Sequence, residues 1–180
     1  MLYLLTEVAG YIGARTAQLA LESGVEVIGI DNMNNYYSPI IKSHRLEGLK
    51  KFNNFTFIKG DIENKEILEK VFTLNKIDAV INLAARAGVR FSLINPFIYA
   101  STNYIGTLNL LDLMRQFNVS KYVMASTSSI YSGSPMPFKE SANVNQPISP
   151  YAASKKAAEL IAYTYHHQFN LDVSIVRYFT

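Results

Sequence analysis

The stretch that most constrains the fold of this chain is Leu2–Gly13, which reads LYLLTEVAGYIG. Its apolar start is typical of a buried strand. Gly10 and Gly13 then indicate a turn, and a helical pattern begins near Tyr11. A strand, a glycine turn and a helix N-terminus together form a cradle for phosphate, because free backbone N–H groups and the helix dipole attract an anion. The sequence therefore predicts an anion-binding turn close to its beginning.

Glu7 departs from the pattern that such a turn normally shows. It stands where the first glycine belongs, so that the turn reads E-x-x-G-x-x-G. A side chain removes the conformational freedom that glycine gives a tight turn. A carboxylate about 4 Å from a pyrophosphate oxygen also costs about 4 kcal/mol at an effective dielectric of about 20, which is roughly a thousandfold in affinity. We therefore expect Glu7→Gly to raise the affinity for a dinucleotide, unless Glu7 points away or is protonated.

Composition places the chain among globular proteins. Its 180 residues are 49% hydrophobic and 17% charged, which allows one domain with a sizeable core. The net charge of +3 comes from scattered basic residues, which argues against a nucleic-acid surface. The absence of cysteine excludes disulfides and thiolate metal sites. Because no apolar run is long enough for a bilayer and no signal-peptide pattern is present, we expect a cytoplasmic protein without membrane partners.

Strand and helix patterns alternate along the whole chain. The predicted strands are 2–5, 25–30, 55–58, 77–82, 121–126 and 173–177, and the predicted helices are 11–21, 40–52, 65–74, 96–117 and 151–169. Asn95-Pro96 is typical of a helix start, a capping side chain followed by proline. This order predicts a doubly wound, Rossmann-type α/β fold with a parallel sheet, whose functional crevice lies at the carboxyl ends of the strands.

Polar side chains follow the predicted strands at that edge: Thr6, Asp31, Asp61, Asn82 and Ser126–Ser129. Asp31 comes 18 residues after Gly13. An acidic residue at this place accepts hydrogen bonds from the adenosine ribose hydroxyls and repels a 2′-phosphate, so it favours NAD over NADP. A simple turn or cap aspartate is the alternative interpretation.

Tyr151 and Lys155 lie four residues apart on a predicted helix, and therefore on one face of it. Free tyrosine has a pKa of about 10 and is a poor base at neutral pH, but a nearby ammonium favours the phenolate. Hydroxyls of Ser126–Ser129 could bind a substrate oxygen and share a proton with Tyr151. An ordinary serine-rich turn is the alternative for that segment.

Several segments of the chain carry motifs in a recognisable order: Gly10–Gly13, Gly29–Asn34, Tyr36-Tyr37, Gly60-Asp61, Asn82–Ala85, Ala87–Arg90, Ala125–Tyr131, Tyr151–Lys155 and Arg177–Thr180. With these motifs the chain resembles the extended short-chain dehydrogenase/reductase superfamily, in its NAD-dependent epimerase/dehydratase branch. Within that branch it is similar to the UDP-glucuronate 4-epimerase group. Asp31-Asn32 with Tyr36-Tyr37, and Ala87–Arg90, are the segments that indicate the uronate subgroup.

The resemblance implies a redox-neutral epimerisation at C4 of the sugar. Thr127, Tyr151 and Lys155 would form the catalytic triad. Tyr151 would take the proton of the 4-hydroxyl while hydride passes to NAD, the 4-keto sugar would rotate, and hydride would return to its other face. Lys155 would hold the nicotinamide ribose and depress the pKa of Tyr151, and Thr127 would bind the reacting oxygen.

The resemblance also implies which residues hold NAD and the UDP-sugar, with no metal involved. The substrate residues would be Arg90, Ser128, Ser129 and Thr180. The cofactor residues would be Gly10, Tyr11, Ile12, Gly13, Asp31, Asn32, Asp61, Ile62, Leu83, Ala84, Ala85, Tyr151, Lys155 and Tyr178. His166-His167, late in a predicted helix, is interpreted as a surface pair and not as metal ligands.

Further expectations concern completeness, specificity and assembly. The family continues past Thr180, so we expect residues 1–180 to be a single truncated NAD-binding domain, a fragment in which the C-terminal substrate domain is absent. The 4,6-dehydratases of the branch place Asp-Glu directly after the threonine, and Ser128-Ser129 cannot replace that pair, which favours epimerisation. A non-catalytic remnant, and another UDP-sugar epimerase or decarboxylase, are the alternatives. The resemblance also implies a homodimer through helices near 96–117 and 152–169.

Overall fold

Six parallel strands form a single sheet. The computed structural model describes residues 1–179, and the predicted substrate residue Thr180 lies outside them. The strands are β1 (Leu2–Thr6), β2 (Glu26–Asp31), β3 (Phe55–Lys59), β4 (Ala79–Asn82), β5 (Lys121–Thr127) and β6 (Asp172–Tyr178). Their order across the sheet is β3-β2-β1-β4-β5-β6, and every neighbouring pair is parallel. The predicted doubly wound, Rossmann-type α/β fold is confirmed.

Helices connect the strands on both faces of the sheet. They are α1 (Tyr11–Glu22), α2 (Pro39–Leu49), α3 (Lys65–Leu74), α4 (Val89–Ile94), α5 (Pro96–Tyr99), α6 (Gly106–Gln116) and α7 (Pro150–Phe169). Within residues 1–179, none of the helices has both the length and the apolar character that a membrane crossing requires.

The helix predicted over 96–117 is interrupted. It consists of α5, a π-helical turn at Ala100–Ile105 and α6. The Asn95 side chain makes no capping hydrogen bond, and α4 directly precedes it. Neither α4 nor the 3₁₀ turn at Ser128–Tyr131 was predicted. Periodicity misses these features because each element is too short to show a repeat of its own.

The core has two layers because successive side chains of a strand point to opposite faces. Leu4 packs in the cluster formed with α3, α6 and α7, whereas Leu5 packs in the cluster formed with α1 and α2. Both side chains are fully buried. This sandwich holds the carboxyl ends of all six strands at one edge, where the polar residues of the sequence gather.

Candidate functional site

A cavity opens at the carboxyl edge of the sheet, where β1 and β4 lie side by side and their connections diverge to opposite sides. This is the switch point at which doubly wound folds bind ligands. The structure brings many of the predicted cofactor residues into this cavity together with residues that were not predicted. Its lining is Glu7, Ile30, Asp31, Asn32, Asn34, Tyr36, Tyr37, Lys42, Gly60, Asp61, Ile62, Ala84, Ala85, Arg86 and Thr102.

The first turn has the backbone of a glycine turn, although Glu7 replaces the glycine. Glu7 has φ +59°, in the left-handed region that side chains disfavour. Its carbonyl oxygen accepts the N–H of Gly10 at 2.9 Å. A Cβ on Gly13 would lie 1.9 Å from that same oxygen, so only glycine fits there. The turn therefore brings the N-terminus of α1 against the end of β1, as a phosphate cradle requires.

The Glu7 side chain points into this cradle and not away from it. A Cβ on Gly10 would lie 2.6 Å from Glu7 Oε1, so the carboxyl group lies over the α carbon of Gly10. Burial, reinforced by the negative charge of Asp31, raises the pKa of the Glu7 carboxyl to about 7, and Lys42, Lys155 and Arg45 oppose the shift. The group is therefore partly neutral at physiological pH.

This raised pKa gives a prediction for stability. Because the folded chain holds the Glu7 proton more tightly than the unfolded chain, the contribution of this group to stability is largest below about pH 4.5 and is lost as pH rises through about 7. The loss attributable to this group is about 3 kcal/mol. We expect the difference in unfolding free energy between Glu7→Gln and the natural chain, measured by urea denaturation, to grow by that amount between pH 4.5 and 8. A constant difference would contradict the assigned environment of Glu7.

Asp31 lies at the end of β2 and is almost fully buried. Its Oδ2 accepts the N–H of Ala9 at 3.0 Å, and its Oδ1 accepts the N–H of Met33 at 2.8 Å. Lys42 Nζ lies 3.6 Å from Oδ1. A carboxylate has about four acceptor positions, so these contacts orient the group and leave it able to accept further hydrogen bonds from a ligand.

Asn32 and Asp61 meet across the ends of β2 and β3. Asn32 Nδ2 donates to Asp61 Oδ2 at 2.6 Å, and Asp61 Oδ1 accepts the N–H of Glu63 at 3.0 Å. Ile62 is buried beside them. The two strand ends thus form one polar wall of the cavity with an apolar residue below it.

The other predicted cofactor residues surround these walls. Tyr11 and Ile12 have exposed side chains, 79% and 39%, but their backbone N–H groups belong to the first turn of α1, which has no helical partner for them. Leu83 is buried after β4, and Tyr178 is half-buried at the end of β6.

The predicted triad residues come from two neighbouring elements. Thr127 is buried at the end of β5, Tyr151 lies in the first turn of α7, and Lys155 follows one turn later with only 2% of its surface exposed. Tyr151 packs edge-on against Tyr99, with ring centroids 6.0 Å apart. Ser149 caps the start of this helix, since its side chain accepts the N–H of Ala152 at 3.2 Å.

The pKa of Tyr151 is shifted in the direction opposite to the expectation. Burial raises the pKa of Tyr151, and a hydrogen bond with the Thr127 side chain acts against this rise. Burial also lowers the pKa of Lys155 to about 8, against the negative charges of Glu7 and Glu159. The expected depression of the Tyr151 pKa by Lys155 is therefore absent from this structure, because desolvation of the phenolate outweighs the other effects.

Three of the four predicted substrate residues lie in the described part of the chain, and none of these three lines the cavity. Ser128 and Ser129 are half-buried in the 3₁₀ turn after β5, where the Ser129 N–H donates to Thr127 Oγ1 at 3.1 Å. Arg90 is exposed on α4. Thr180, the fourth, lies outside the described residues.

Glu159 and Arg177 form an ion pair next to the predicted triad. This ion pair was not predicted from the sequence. Arg177 Nε donates to Glu159 Oε1 at 3.0 Å, and its Nη2 donates to Oε2 at 2.9 Å. Ser126 Oγ donates to Glu159 Oε1 at 2.6 Å, while Arg177 also contacts the Tyr131 hydroxyl. The cluster ties α7 to β5, β6 and the 3₁₀ turn, so it fixes the helix that carries Tyr151 and Lys155.

Asn103 is a second missed residue. It is fully buried in the π-helical turn. Its Oδ1 accepts the N–H of Arg86 at 2.7 Å, and its Nδ2 donates to the Arg86 carbonyl at 3.1 Å and to Ser154 Oγ at 2.9 Å. The side chain therefore links the loop after β4 to the residue that precedes Lys155.

Comparisons with known proteins agree with this geometry. Residues 4–180 match the family model described as GDP-mannose 4,6 dehydratase. The chain belongs to the NAD-dependent epimerase/dehydratase family. It is 54% identical to UDP-glucuronate 4-epimerase of Thermodesulfobacterium geofontis (strain OPF15) over 178 residues, which are 99% of this chain and 55% of that protein. The chain thus spans about half the length of the curated relatives it matches.

Solved structures of the family superpose on this fold. UDP-glucuronic acid 4-epimerase from Bacillus cereus, in complex with UDP-glucuronic acid and NAD, gives a TM-score of 0.92 at 34% identity and covers 100% of this chain and 57% of that one. UDP-glucose 4-epimerase from Bifidobacterium longum, in complex with NAD+ and UDP, gives 0.90 at 29% identity, with 100% of this chain and 53% of that one covered. Both of these structural neighbours are UDP-sugar epimerases in complex with NAD.

Proposed function

We propose that this chain is the NAD-binding half of a nucleotide-sugar 4-epimerase that interconverts UDP-glucuronate and UDP-galacturonate, with residues 1–180 forming one domain. The observation that carries the proposal is the position of Thr127, Tyr151 and Lys155 at the carboxyl edge, beside the dinucleotide cavity. The 54% identity to a UDP-glucuronate 4-epimerase supports the uronate substrate.

The residues of the cavity fit NAD at its adenosine end. Asp31 would accept hydrogen bonds from the hydroxyls of the adenosine ribose, and Asn32 would also contact this ribose. Asp61 and Ile62 would contact the adenine. The absence of a Cβ at Gly13 allows the close turn that a pyrophosphate needs. Further contacts along the cofactor would come from Gly10, Tyr11, Ile12, Leu83, Ala84, Ala85, Lys155 and Tyr178. Glu7 is the single departure from this fit.

Each triad residue has a definite task in the proposed reaction. The acceptor for the hydride that leaves C4 of the sugar would be bound NAD. Tyr151 would take the proton of the 4-hydroxyl and later return it, Thr127 would bind the reacting oxygen, and Lys155 would hold the nicotinamide ribose. Because burial raises the pKa of Tyr151, its base form would need positive charge nearby, which protonated Lys155, one helical turn further along α7, would have to supply.

The substrate side of the cavity favours epimerisation over dehydration. Ser128 and Ser129 would help to bind the sugar carboxylate, together with Arg90 and Thr180. Neither serine carries a group that can act as acid or base at neutral pH, whereas elimination of water needs both. The site therefore supports transfer of hydride and proton at C4 alone.

Incubation of the protein that contains this chain with NAD and UDP-glucuronate tests the proposal. We expect UDP-galacturonate to form until the two sugars reach equilibrium, as followed by proton NMR of the anomeric signals. A panel with UDP-glucose and UDP-xylose controls for specificity, and conversion of UDP-glucose in place of UDP-glucuronate would favour the alternative of another UDP-sugar epimerase. Formation of a decarboxylated product would also contradict the proposal.

A non-catalytic remnant is the second candidate, because Glu7 stands in the phosphate turn. A chain of this kind would show no titratable NAD binding. The homodimer through helices near 96–117 and 152–169 and the cytoplasmic location stay predictions.

A further inference from the structure

Glu7 lies where the cofactor's most negative part would lie. Its carboxyl group covers Gly10 at the N-terminus of α1 and lines the same cavity as Asp31 and Asn32. The backbone that carries it is held on both sides, since the Gly10 N–H binds the Glu7 carbonyl and Gly13 packs against it. The carboxyl group therefore belongs to the cradle itself.

The charged groups around Glu7 include both signs, and the two cationic groups on α2 contact residues other than Glu7. Lys42 lies beside Asp31, and Arg45 Nη1 donates to the Tyr37 hydroxyl at 3.0 Å. The titratable groups that face the carboxyl come from four parts of the fold: Asp31 at the end of β2, Tyr37 in the following loop, Lys42 and Arg45 on α2, and Tyr151 and Lys155 on α7. Burial outweighs these charges and brings the pKa of Glu7 to about 7.

We propose that Glu7 controls the binding of NAD at the dinucleotide turn. NAD binds to the chain whose Glu7 carboxyl carries a proton and is rejected by the carboxylate form. The inference rests on the proposed function. A neutral carboxyl can donate its O–H to a pyrophosphate oxygen, whereas a carboxylate can only accept and repels it. Binding of NAD is therefore coupled to the uptake of a proton, and cofactor occupancy responds to pH near neutrality.

Titration of the purified chain with NAD by calorimetry at pH 6, 7 and 8 tests this coupling. With a pKa of about 7, linkage predicts that affinity falls by about tenfold between pH 6 and pH 8. Repeating the titration in two buffers of different ionisation enthalpy counts the protons taken up, and about half a proton per NAD is expected at pH 7. Adenosine, which lacks pyrophosphate, serves as the matched ligand and should bind without this pH dependence.

Two variants separate charge from bulk. Glu7→Gln keeps the size of the side chain but cannot ionise, so its NAD affinity should match that of the natural chain at pH 6 and fall by much less than tenfold by pH 8. Lys155, with a pKa of about 8, is the cofactor residue that still titrates in this range. Glu7→Gly removes both charge and bulk, and its affinity should be at least as high and show the same weak pH dependence.

The outcomes are distinguishable. A natural chain whose NAD affinity is constant from pH 6 to 8, or a Glu7→Gln variant that keeps the tenfold loss, would overturn the role of Glu7 and leave the proposed function standing. If neither the natural chain nor either variant binds NAD at any pH, the proposed function fails, and this inference fails with it.

Discussion

Replacing Tyr151 by phenylalanine is expected to slow the conversion of UDP-glucuronate to UDP-galacturonate by about 10³-fold, because in the proposed reaction the phenol removes and returns the proton at the 4-hydroxyl. The ring packs against Tyr99 through its edge, and phenylalanine keeps that contact. NAD affinity should therefore change little, and the loss should appear in kcat. Initial rates from discontinuous chromatographic assays measure the effect.

Tyr163→Phe is the matched control for this variant. Tyr163 lies on the same helix, is 62% exposed and should leave the rate unchanged. Equal losses in the two variants, or an active Tyr151→Phe chain, would contradict the assignment of Tyr151 as the base.

Replacing Arg177 by methionine is expected to lower the free energy of unfolding by about 3 kcal/mol, because it leaves the buried Glu159 carboxylate without its bidentate partner. Glu159 is 4% exposed, and its remaining contacts with Ser126 and Lys156 are at 2.6 and 3.3 Å. They cannot satisfy the charge in full. Urea denaturation of the natural chain and the variant gives the difference.

Arg115→Met supplies the comparison. Arg115 pairs with Asp112 on the surface of α6, where 43% of its side chain is exposed, and exposed pairs contribute only about 0–1 kcal/mol. If Arg177→Met destabilised the chain no more than Arg115→Met, the Glu159–Arg177 pair would not hold α7 as described.

The fold was predictable because its signals are local. Alternating apolar runs and glycine turns mark β1 to β6, and the parallel order follows from the helices between them. The interruption of the helix over 96–117 was not predictable, since a π turn of 6 residues is too short to show a period of its own. Asn103 in this turn makes hydrogen bonds with Arg86 and Ser154, which are contacts that the sequence does not display.

The site residues that follow strand ends could be predicted from the sequence. The pairs formed by residues far apart in the chain could not. Asp31 and Asp61 each end a strand, so their place at one edge follows from topology. Glu159 reads as one charge on an amphipathic helix, and its pairing with Arg177 depends on the approach of α7 to β6. The position of Glu7 in the turn was predictable, but the direction of its side chain was not, because rotamer choice depends on packing around Gly10.

In the proposed reaction one hydride leaves C4 of UDP-glucuronate and returns to the other face of the sugar, with Tyr151 handling the proton. UDP-glucuronate labelled with deuterium at C4, incubated in ordinary water with NAD and the protein that contains this chain, tests this reaction by NMR and mass spectrometry of the product. We predict UDP-galacturonate that retains the deuterium at C4. Product that has exchanged its label with solvent, or a protein that binds NAD and forms no UDP-galacturonate, would contradict the proposal.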